Sequence, residues 1–183
     1  VLAAGAAMLA MPAFVRARAA SAHVVVVGGG FGGATAARYL RQLAPEVKVT
    51  LVEPATRFYT CPFSNLYLGG LRSFESIGHG YDGLRADGVE VVHARAEDVD
   101  ATARTVRLSN GRTLKWDRLV LSPGIDFRWD ALPGYDEAAS WIAPHSWKAG
   151  KQTQLLYRQL RAMPDGGPFV MVIPDLPYRC PPG

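Results

Sequence analysis

Cysteine is scarce in this chain, which has only Cys61 and Cys180 among its 183 residues. Two cysteines are too few for a disulfide-dense small scaffold, and the chain contains no C-x-x-C-H, the attachment motif of c-type haem. The histidines are scattered, without the spacing of a metal site: His23, His79, His93 and His145. We therefore expect no metal.

A large excess of one charge is also missing. The chain has 20 basic and 16 acidic side chains, and two of the basic ones, Arg16 and Arg18, lie in a stretch that we expect to be removed. This near balance predicts no nucleic-acid partner. With 49% hydrophobic residues, the chain can bury a globular core.

The sequence has no apolar run of the roughly 20 residues that a membrane-spanning helix needs. Residues 1–15 are apolar but short, and Pro12 interrupts them. Because Ala17-Arg18-Ala19 follows with a cleavage pattern, residues 1–19 are expected to be an export signal, with an uncleaved anchor as the alternative. The segment resembles a twin-arginine signal, which predicts a periplasmic protein. From the first residue, Val1, and the terminal CPPG, we expect a piece of a longer chain.

The segment from residue 23 to 54 predicts a strand, a helix and a second strand. Residues 24–27 are a short β-branched run, typical of a strand buried in a parallel sheet. Helical spacing follows over residues 32–44 until Pro45, and residues 47–52 form the next apolar run. One βαβ unit of a Rossmann-like α/β fold is therefore expected.

Glycines in G-x-G-x-x-G spacing, Gly28, Gly30 and Gly33, join the first strand to the helix, and Glu53 follows 20 residues after the third. Such glycines allow a tight turn, approach of a pyrophosphate and close helix packing. The phosphate rests on free N–H groups of the helix, and the acid accepts hydrogen bonds from the ribose hydroxyls. The unit predicts a dinucleotide site, against the alternative of a glycine-rich turn without a ligand.

Further elements follow along the chain. Residues 89–93 predict a strand, residues 105–117 a hairpin turning at Asn110-Gly111, and residues 118–124 a buried strand. Pro123 and Gly124 would then lie at the ligand edge of the sheet, or form a plain structural turn. Ala96 is expected in a loop on the adenine side, contacting the cofactor through its backbone.

The last part of the chain predicts the start of a second α/β unit. Residues 149–163 have helical spacing, and residues 168–174 resemble a buried first strand. We thus expect an N-terminal cofactor domain over residues 20–148 and a truncated second domain over residues 149–183. Instead of a second glycine fingerprint, DLPYRCPPG follows with three prolines, which argues against a nicotinamide cofactor as electron donor.

Several of these motifs resemble one family. VVVVGGGFGGATAARYL, the VEP of Glu53, FYTCPFSN, LVLSPGIDF and PYRCPPG are similar in order and spacing to the flavoprotein subunit of flavocytochrome c sulfide dehydrogenase, a disulfide-reductase-like flavoprotein. The resemblance covers residues 23–183 and implies that the dinucleotide is FAD. It implies a covalent bond from Cys61 to the 8α-methyl of the flavin, and a redox-active disulfide between Cys180 and a cysteine beyond Gly183.

The resemblance also implies a reaction. Hydrosulfide would attack the disulfide, giving a persulfide and a thiolate, and electrons would pass through the flavin to a cytochrome c subunit that carries the haem. Four alternatives remain: a sulfide:quinone oxidoreductase, another FAD-dependent enzyme of the pyridine-nucleotide-disulfide type, an inactive truncated FAD-binding module, and, for the cysteines, a plain Cys61–Cys180 disulfide.

Overall fold

The computed structural model describes residues 21–129 and 131–173. The proposed export signal, the second cysteine Cys180 and its flanking prolines lie outside these residues, so the expectations for them remain predictions. In the described part, nine strands form three small sheets, and five α-helices and one 3-10 turn (Glu75–Ile77) accompany them.

The central sheet is parallel and has the strand order β5-β2-β1-β9. Its strands are β1 (His23–Val27), β2 (Lys48–Val52), β5 (Glu90–Val92) and β9 (Arg118–Leu121). The 13-residue helix α1 (Phe31–Leu43) connects β1 to β2, as the βαβ unit in the sequence predicts. Because the strands are parallel, all four carboxyl ends meet at one edge of the sheet.

Two antiparallel sheets accompany the central one. The first pairs β3 (Phe58–Tyr59) with β4 (Gly78–His79). The second has the order β6-β7-β8, formed by β6 (Ala96–Asp100), β7 (Thr105–Leu108) and β8 (Thr113–Lys115). The hairpin between β7 and β8 turns where predicted, but not as a two-residue Asn110-Gly111 turn. The Gly111 N–H donates to the Leu108 carbonyl, so Ser109 and Asn110 are the central residues, and Gly111 follows with a positive φ of 81°, as in a three-residue loop that ends in glycine.

The remaining helices are short except for the last. They are α2 (Ser64–Leu68), α3 (Asp82–Ala86), α4 (Glu137–Ser140) and α5 (Lys151–Ala162). The predicted helix over residues 149–163 is therefore confirmed as α5. Among the described residues, no helix is long and apolar enough to cross a bilayer.

The core lies on both faces of the central sheet. On one face, Val24, Val26 and Leu51 pack against Ala37 of α1. On the other, Val25 and Val52 pack against the β6-β7-β8 sheet through side chains such as Val106 and Leu108. The apolar runs of β1 and β2 thus follow from burial on both faces, as expected for a parallel sheet.

Three further expectations about secondary structure need correction. Strand β9 is half-buried rather than buried, because it is an edge strand among the described residues and Leu121 is 59% exposed. Ala96 begins β6 instead of lying in a loop, since its backbone pairs with Leu108. Residues 168–173 form no strand, and Phe169 to Ile173 are exposed. No described strand pairs with them, and a strand needs a neighbour for its backbone hydrogen bonds.

Candidate functional site

The glycine loop lies between the end of β1 and the start of α1, at the carboxyl edge of the central sheet. Gly28 has a φ of 97°, and a Cβ there would lie 2.0 Å from the carbonyl oxygen of Ser122. A Cβ on Gly33 would lie 1.8 Å from the carbonyl oxygen of Gly28. The fold itself therefore requires glycine at both positions.

Gly30, the middle glycine of the motif, is not required by the fold in this way. Its φ is −73°, which any residue adopts, and the nearest atom to a Cβ there is Phe58 Cε2 at 3.4 Å. That distance is an ordinary van der Waals contact. The space beside Gly30 thus fits the close approach of a ligand to the backbone, as the motif predicts.

The first turn of α1 provides the partner for a phosphate. Gly30 caps the helix without a side-chain hydrogen bond, and the turn contains no acidic residue. Backbone N–H groups in the first turn of a helix have no partner inside the helix and carry its positive dipole end. This arrangement fits the pyrophosphate of a dinucleotide.

Glu53 follows β2 and lies directly beside the glycine loop. Its Oε2 accepts a hydrogen bond from the Gly29 N–H at 2.7 Å, and its Oε1 accepts one from the Ala55 N–H at 2.8 Å. The carboxylate is half-buried, at the same sheet edge as the phosphate-binding turn. The structure therefore brings the predicted ribose acceptor and the predicted phosphate cradle together.

Tyr81 supports this loop, and sequence reasoning missed it. The side chain is 3% exposed, and its hydroxyl donates to the Gly29 carbonyl at 3.1 Å. Burial, together with the charge of Glu53, raises the pKa of Tyr81 to about 12. A Cβ on Gly29 would lie 2.7 Å from the Tyr81 hydroxyl and 2.8 Å from Glu53 Cγ. Gly29 is thus needed as well, although it occupies an x position of the motif.

His93 is a second residue whose place the sequence did not reveal. Its Nε2 lies 2.9 Å from Arg85 Nη2, and its Nδ1 lies 3.0 Å from the carbonyl oxygen of Glu53. A guanidinium can only donate, so Nε2 accepts and the hydrogen is on Nδ1, which donates to the Glu53 carbonyl. His93 therefore fixes the backbone of the predicted ribose-binding residue.

Pro123 and Gly124 follow β9 at the same edge of the sheet. The Ser122 N–H donates to the Val27 carbonyl, which keeps this turn beside the glycine loop. Gly124 has a φ of 76° and an open Cβ position. The predicted place of the two residues is confirmed, while their contact with a cofactor stays a prediction, as it does for Ala96.

Cys61 lies in the loop between β3 and α2 and is half-buried. Its thiol donates to the Trp147 carbonyl at 3.3 Å, and the Ser146 carbonyl lies 3.9 Å from the sulfur. Within the described residues Cys61 forms no disulfide. The pairing with Cys180 falls outside them.

A cleft of about 320 Å³ opens beside the glycine loop. Its walls are mostly apolar and come from α1, the β3-β4 sheet and α3: Gly29, Gly30, Phe31, Ala34, Thr35, Phe58, Thr60, His79, Gly80, Tyr81 and Leu84. In the described part of the chain, no group of three or more histidine, cysteine or carboxylate side chains could hold a metal ion.

Comparison with known proteins identifies the family. The model of the family described as pyridine nucleotide-disulphide oxidoreductase matches residues 22–160, well over half of the chain. The chain belongs to the pyridine nucleotide-disulphide oxidoreductase family. A second model, described as the central part of the flavoprotein chain of flavocytochrome c sulfide dehydrogenase, matches residues 153–183.

Individual relatives agree with this assignment. The chain is 74% identical over 43 residues to the flavocytochrome c sulfide dehydrogenase flavoprotein chain of Chlorobaculum thiosulfatiphilum, covering 24% of this chain and 90% of that sequence. It is 35% identical over 139 residues to the sulfide-quinone reductase of Aquifex aeolicus, covering 74% of this chain and 32% of that protein. The resemblance predicted from the sequence motifs is confirmed.

Solved structures confirm the fold. The sulfide:quinone oxidoreductase of Aquifex aeolicus superposes with a TM-score of 0.66 at 28% identity, covering 77% of this chain and 32% of that one. The expected Rossmann-like α/β fold is thus confirmed. The chain spans about a third of the length of the Aquifex enzyme.

Proposed function

We propose that the protein is an FAD-dependent oxidoreductase that oxidises sulfide and passes the electrons to a cytochrome c subunit. The observation that carries this proposal is the match of residues 153–183 to the sulfide dehydrogenase flavoprotein family, together with 74% identity over 43 residues to one such chain. The name of that relative includes a flavoprotein and a cytochrome, which supports both the cofactor and the partner.

The described residues fit the ADP half of FAD. The first turn of α1 would hold the pyrophosphate, the open space at Gly30 would admit it, and Glu53 would accept from the ribose hydroxyls. Tyr81 and His93 would keep the glycine loop and the backbone of Glu53 in place. Bound FAD would supply the chemistry that links two-electron oxidation of sulfur to a one-electron acceptor.

Cys61 and Cys180 have separate roles in this proposal. Cys61 would form a thioether with the flavin, and Cys180 would be half of a redox disulfide with a second cysteine of the complete protein. Hydrosulfide would attack one sulfur of that disulfide, so that the S–S bond breaks, one cysteine becomes a persulfide and the other leaves as a thiolate. A periplasmic location, reached through a twin-arginine signal, is part of the same proposal.

A second candidate is a sulfide:quinone oxidoreductase. It is favoured by the 35% identity to the Aquifex sulfide-quinone reductase, which extends over 74% of this chain. The two candidates differ in the electron acceptor, so an assay of acceptors separates them.

The test compares ferricytochrome c and a short-chain ubiquinone as acceptors for sulfide oxidation by the full-length protein with its native partner. We expect cytochrome reduction in the wild type and its loss in Cys180→Ser. Sulfide-dependent quinone reduction at a higher rate than cytochrome reduction would instead support the second candidate. Absence of flavin from the purified protein would refute both.

A further inference from the structure

The sulfur of Cys61 is oriented by a segment far away in sequence. Its thiol donates to the Trp147 carbonyl at 3.3 Å, across 86 residues of chain, and the Ser146 carbonyl is the next oxygen at 3.9 Å. A thiol is a weak donor on a single rotatable bond, so the position of its acceptor influences where the sulfur points. Ser146 and Trp147 therefore provide the acceptors toward which the Cys61 thiol is directed.

Gln152, in the first turn of α5, fixes this segment. Its Oε1 accepts from the His145 N–H at 3.2 Å, and its Nε2 donates to Ser140 Oγ. The Ser140 hydroxyl then donates to the Glu137 carbonyl at 2.6 Å, and Ser140 is fully buried. Since a backbone N–H can only donate, the amide oxygen must face His145, and the whole chain of hydrogen bonds has one consistent direction.

Other contacts of the segment are less specific. The His145 ring packs on the Phe127 ring with centroids 4.2 Å apart. Such a ring contact does not fix the direction of the His145 backbone N–H. The ion pair between Lys148 and Asp126 is exposed on both sides, and such pairs contribute little. Gln152 thus holds the backbone two residues before the Trp147 carbonyl through a directional hydrogen bond.

Formation of the thioether depends on where the sulfur points. The reaction joins Sγ to the 8α carbon, and one hydrogen leaves the thiol and another leaves the methyl group. The two hydrogens leave as protons, and the two electrons pass through the ring to dioxygen, which becomes hydrogen peroxide. An error of about 1 Å in the placement of a reacting atom can reduce a rate about 100-fold.

We propose that Gln152 is a positioning residue for covalent flavin attachment, acting through the backbone of residues 145–147 on Cys61. This inference rests on the proposed function, specifically on the thioether at Cys61. Gln152→Leu removes both hydrogen bonds of the amide while keeping a side chain of nearly the same size. Gln152→Glu keeps an oxygen that can accept from the His145 N–H.

Thr153 offers a matched control in the same helical turn. It is 1% exposed, and its Oγ1 accepts from the Gly150 N–H at 3.1 Å, which caps α5. Thr153→Val removes this cap and destabilises the start of the helix, by about 1 kcal/mol as for other caps. It leaves the bond between Gln152 and His145 in place, so it separates a general loss of stability from a change in positioning.

The experiment follows covalent attachment in the full-length protein. Apoprotein is mixed with FAD in aerated buffer, samples are precipitated with acid over time, and flavin in the pellet is measured by fluorescence and by the mass of the Cys61 peptide. Total bound FAD is measured in parallel by absorbance. We expect attachment to be about 10–100-fold slower in Gln152→Leu at unchanged FAD binding, and close to the wild-type rate in Gln152→Glu and Thr153→Val.

Three results would overturn the inference. The first is attachment at the wild-type rate in Gln152→Leu, and the second is equal slowing in Gln152→Leu and Thr153→Val. Either result overturns the role of Gln152 and leaves the proposed thioether intact. FAD bound to the wild type without any covalent flavin would overturn the thioether, and the inference with it. If Gln152→Leu does not fold, Gln152→Ala replaces it, because it also removes the acceptor of the His145 N–H and alanine favours the helix, and an unchanged rate there counts against the inference.

Discussion

Glycines 30 and 33 belong to the same motif, but the structure gives them different roles, so alanine should affect them differently. A Cβ at Gly33 would lie 1.8 Å from the Gly28 carbonyl oxygen, whereas the nearest atom at Gly30 is 3.4 Å away. We predict that Gly33→Ala impairs folding, and that Gly30→Ala impairs FAD binding without impairing folding.

The magnitudes follow from these distances. For Gly33→Ala, α1 and the glycine loop must separate by more than 1 Å, and forcing extra atoms into a packed core costs about 1–3 kcal/mol or more. At about 2–4 °C per kcal/mol for a chain of this size, 3 kcal/mol lowers the melting temperature by about 6–12 °C. For Gly30→Ala the free energy of unfolding changes by less than about 1 kcal/mol, because the helix cap changes only from glycine to alanine.

The added methyl group at Gly30 instead occupies the space proposed for the pyrophosphate. A steric cost of about 1–3 kcal/mol there corresponds to FAD affinity weakened by about 5–150-fold. The assay is FAD titration by fluorescence quenching, with thermal unfolding of the apoprotein, in a Cys61→Ser background where the flavin exchanges freely. Gly83→Ala, in α3 with nothing near its Cβ position, is the control. FAD binding by Gly30→Ala at the parent affinity would refute the proposed approach of the ligand at this glycine.

Three further predictions concern single side chains. Glu53→Ala should weaken FAD binding by about 10–150-fold in the Cys61→Ser background, because hydrogen bonds to a charged group are worth about 1.5–3 kcal/mol. Equal affinity would exclude a ribose contact. The pKa of Tyr81 is raised to about 12, so the neutral phenol stabilises the fold below pH 10 and this contribution is lost as the pH rises toward 12. Unfolding free energies of wild type and Tyr81→Phe should therefore converge over that range, and parallel curves would contradict the assignment. Burial lowers the pKa of His145 to about 4, so the neutral imidazole stabilises the fold above pH 6.5, and this stabilisation is lost as the pH falls toward 4. In an acid denaturation series, His145→Phe should abolish this loss of unfolding free energy between pH 6.5 and 4.

Local signals predicted much of the cofactor site. The spacing of Gly28, Gly30 and Gly33 and the acid at the end of β2 predicted both the βαβ unit and its ligand edge, because each depends on neighbours within one supersecondary motif. The position of the hairpin near Asn110-Gly111 was predictable for the same reason, although its loop is one residue longer than the two-residue turn. Such elements are determined by short stretches of chain.

The long-range contacts of the site were not predictable. Tyr81 reaches Gly29 across 52 residues, and His93 reaches Glu53 across 40. Neither residue stands in a motif, since each acts on a backbone carbonyl and nothing in the local sequence specifies which carbonyl lies opposite. A local signal also gave a wrong prediction at residues 168–173. This run has the composition of a buried strand, but the described residues provide no strand to pair with it.

The central claim is that sulfide delivers electrons to a flavin held by this site, and anaerobic titration of the purified full-length flavoprotein with sulfide tests it most directly. The account predicts that the flavin absorbance near 450 nm bleaches in the wild type, and that Cys180→Ser keeps its bound flavin but is no longer reduced by sulfide. Bleaching of Cys180→Ser at the wild-type rate, or a wild-type flavin that sulfide leaves oxidised, would contradict it.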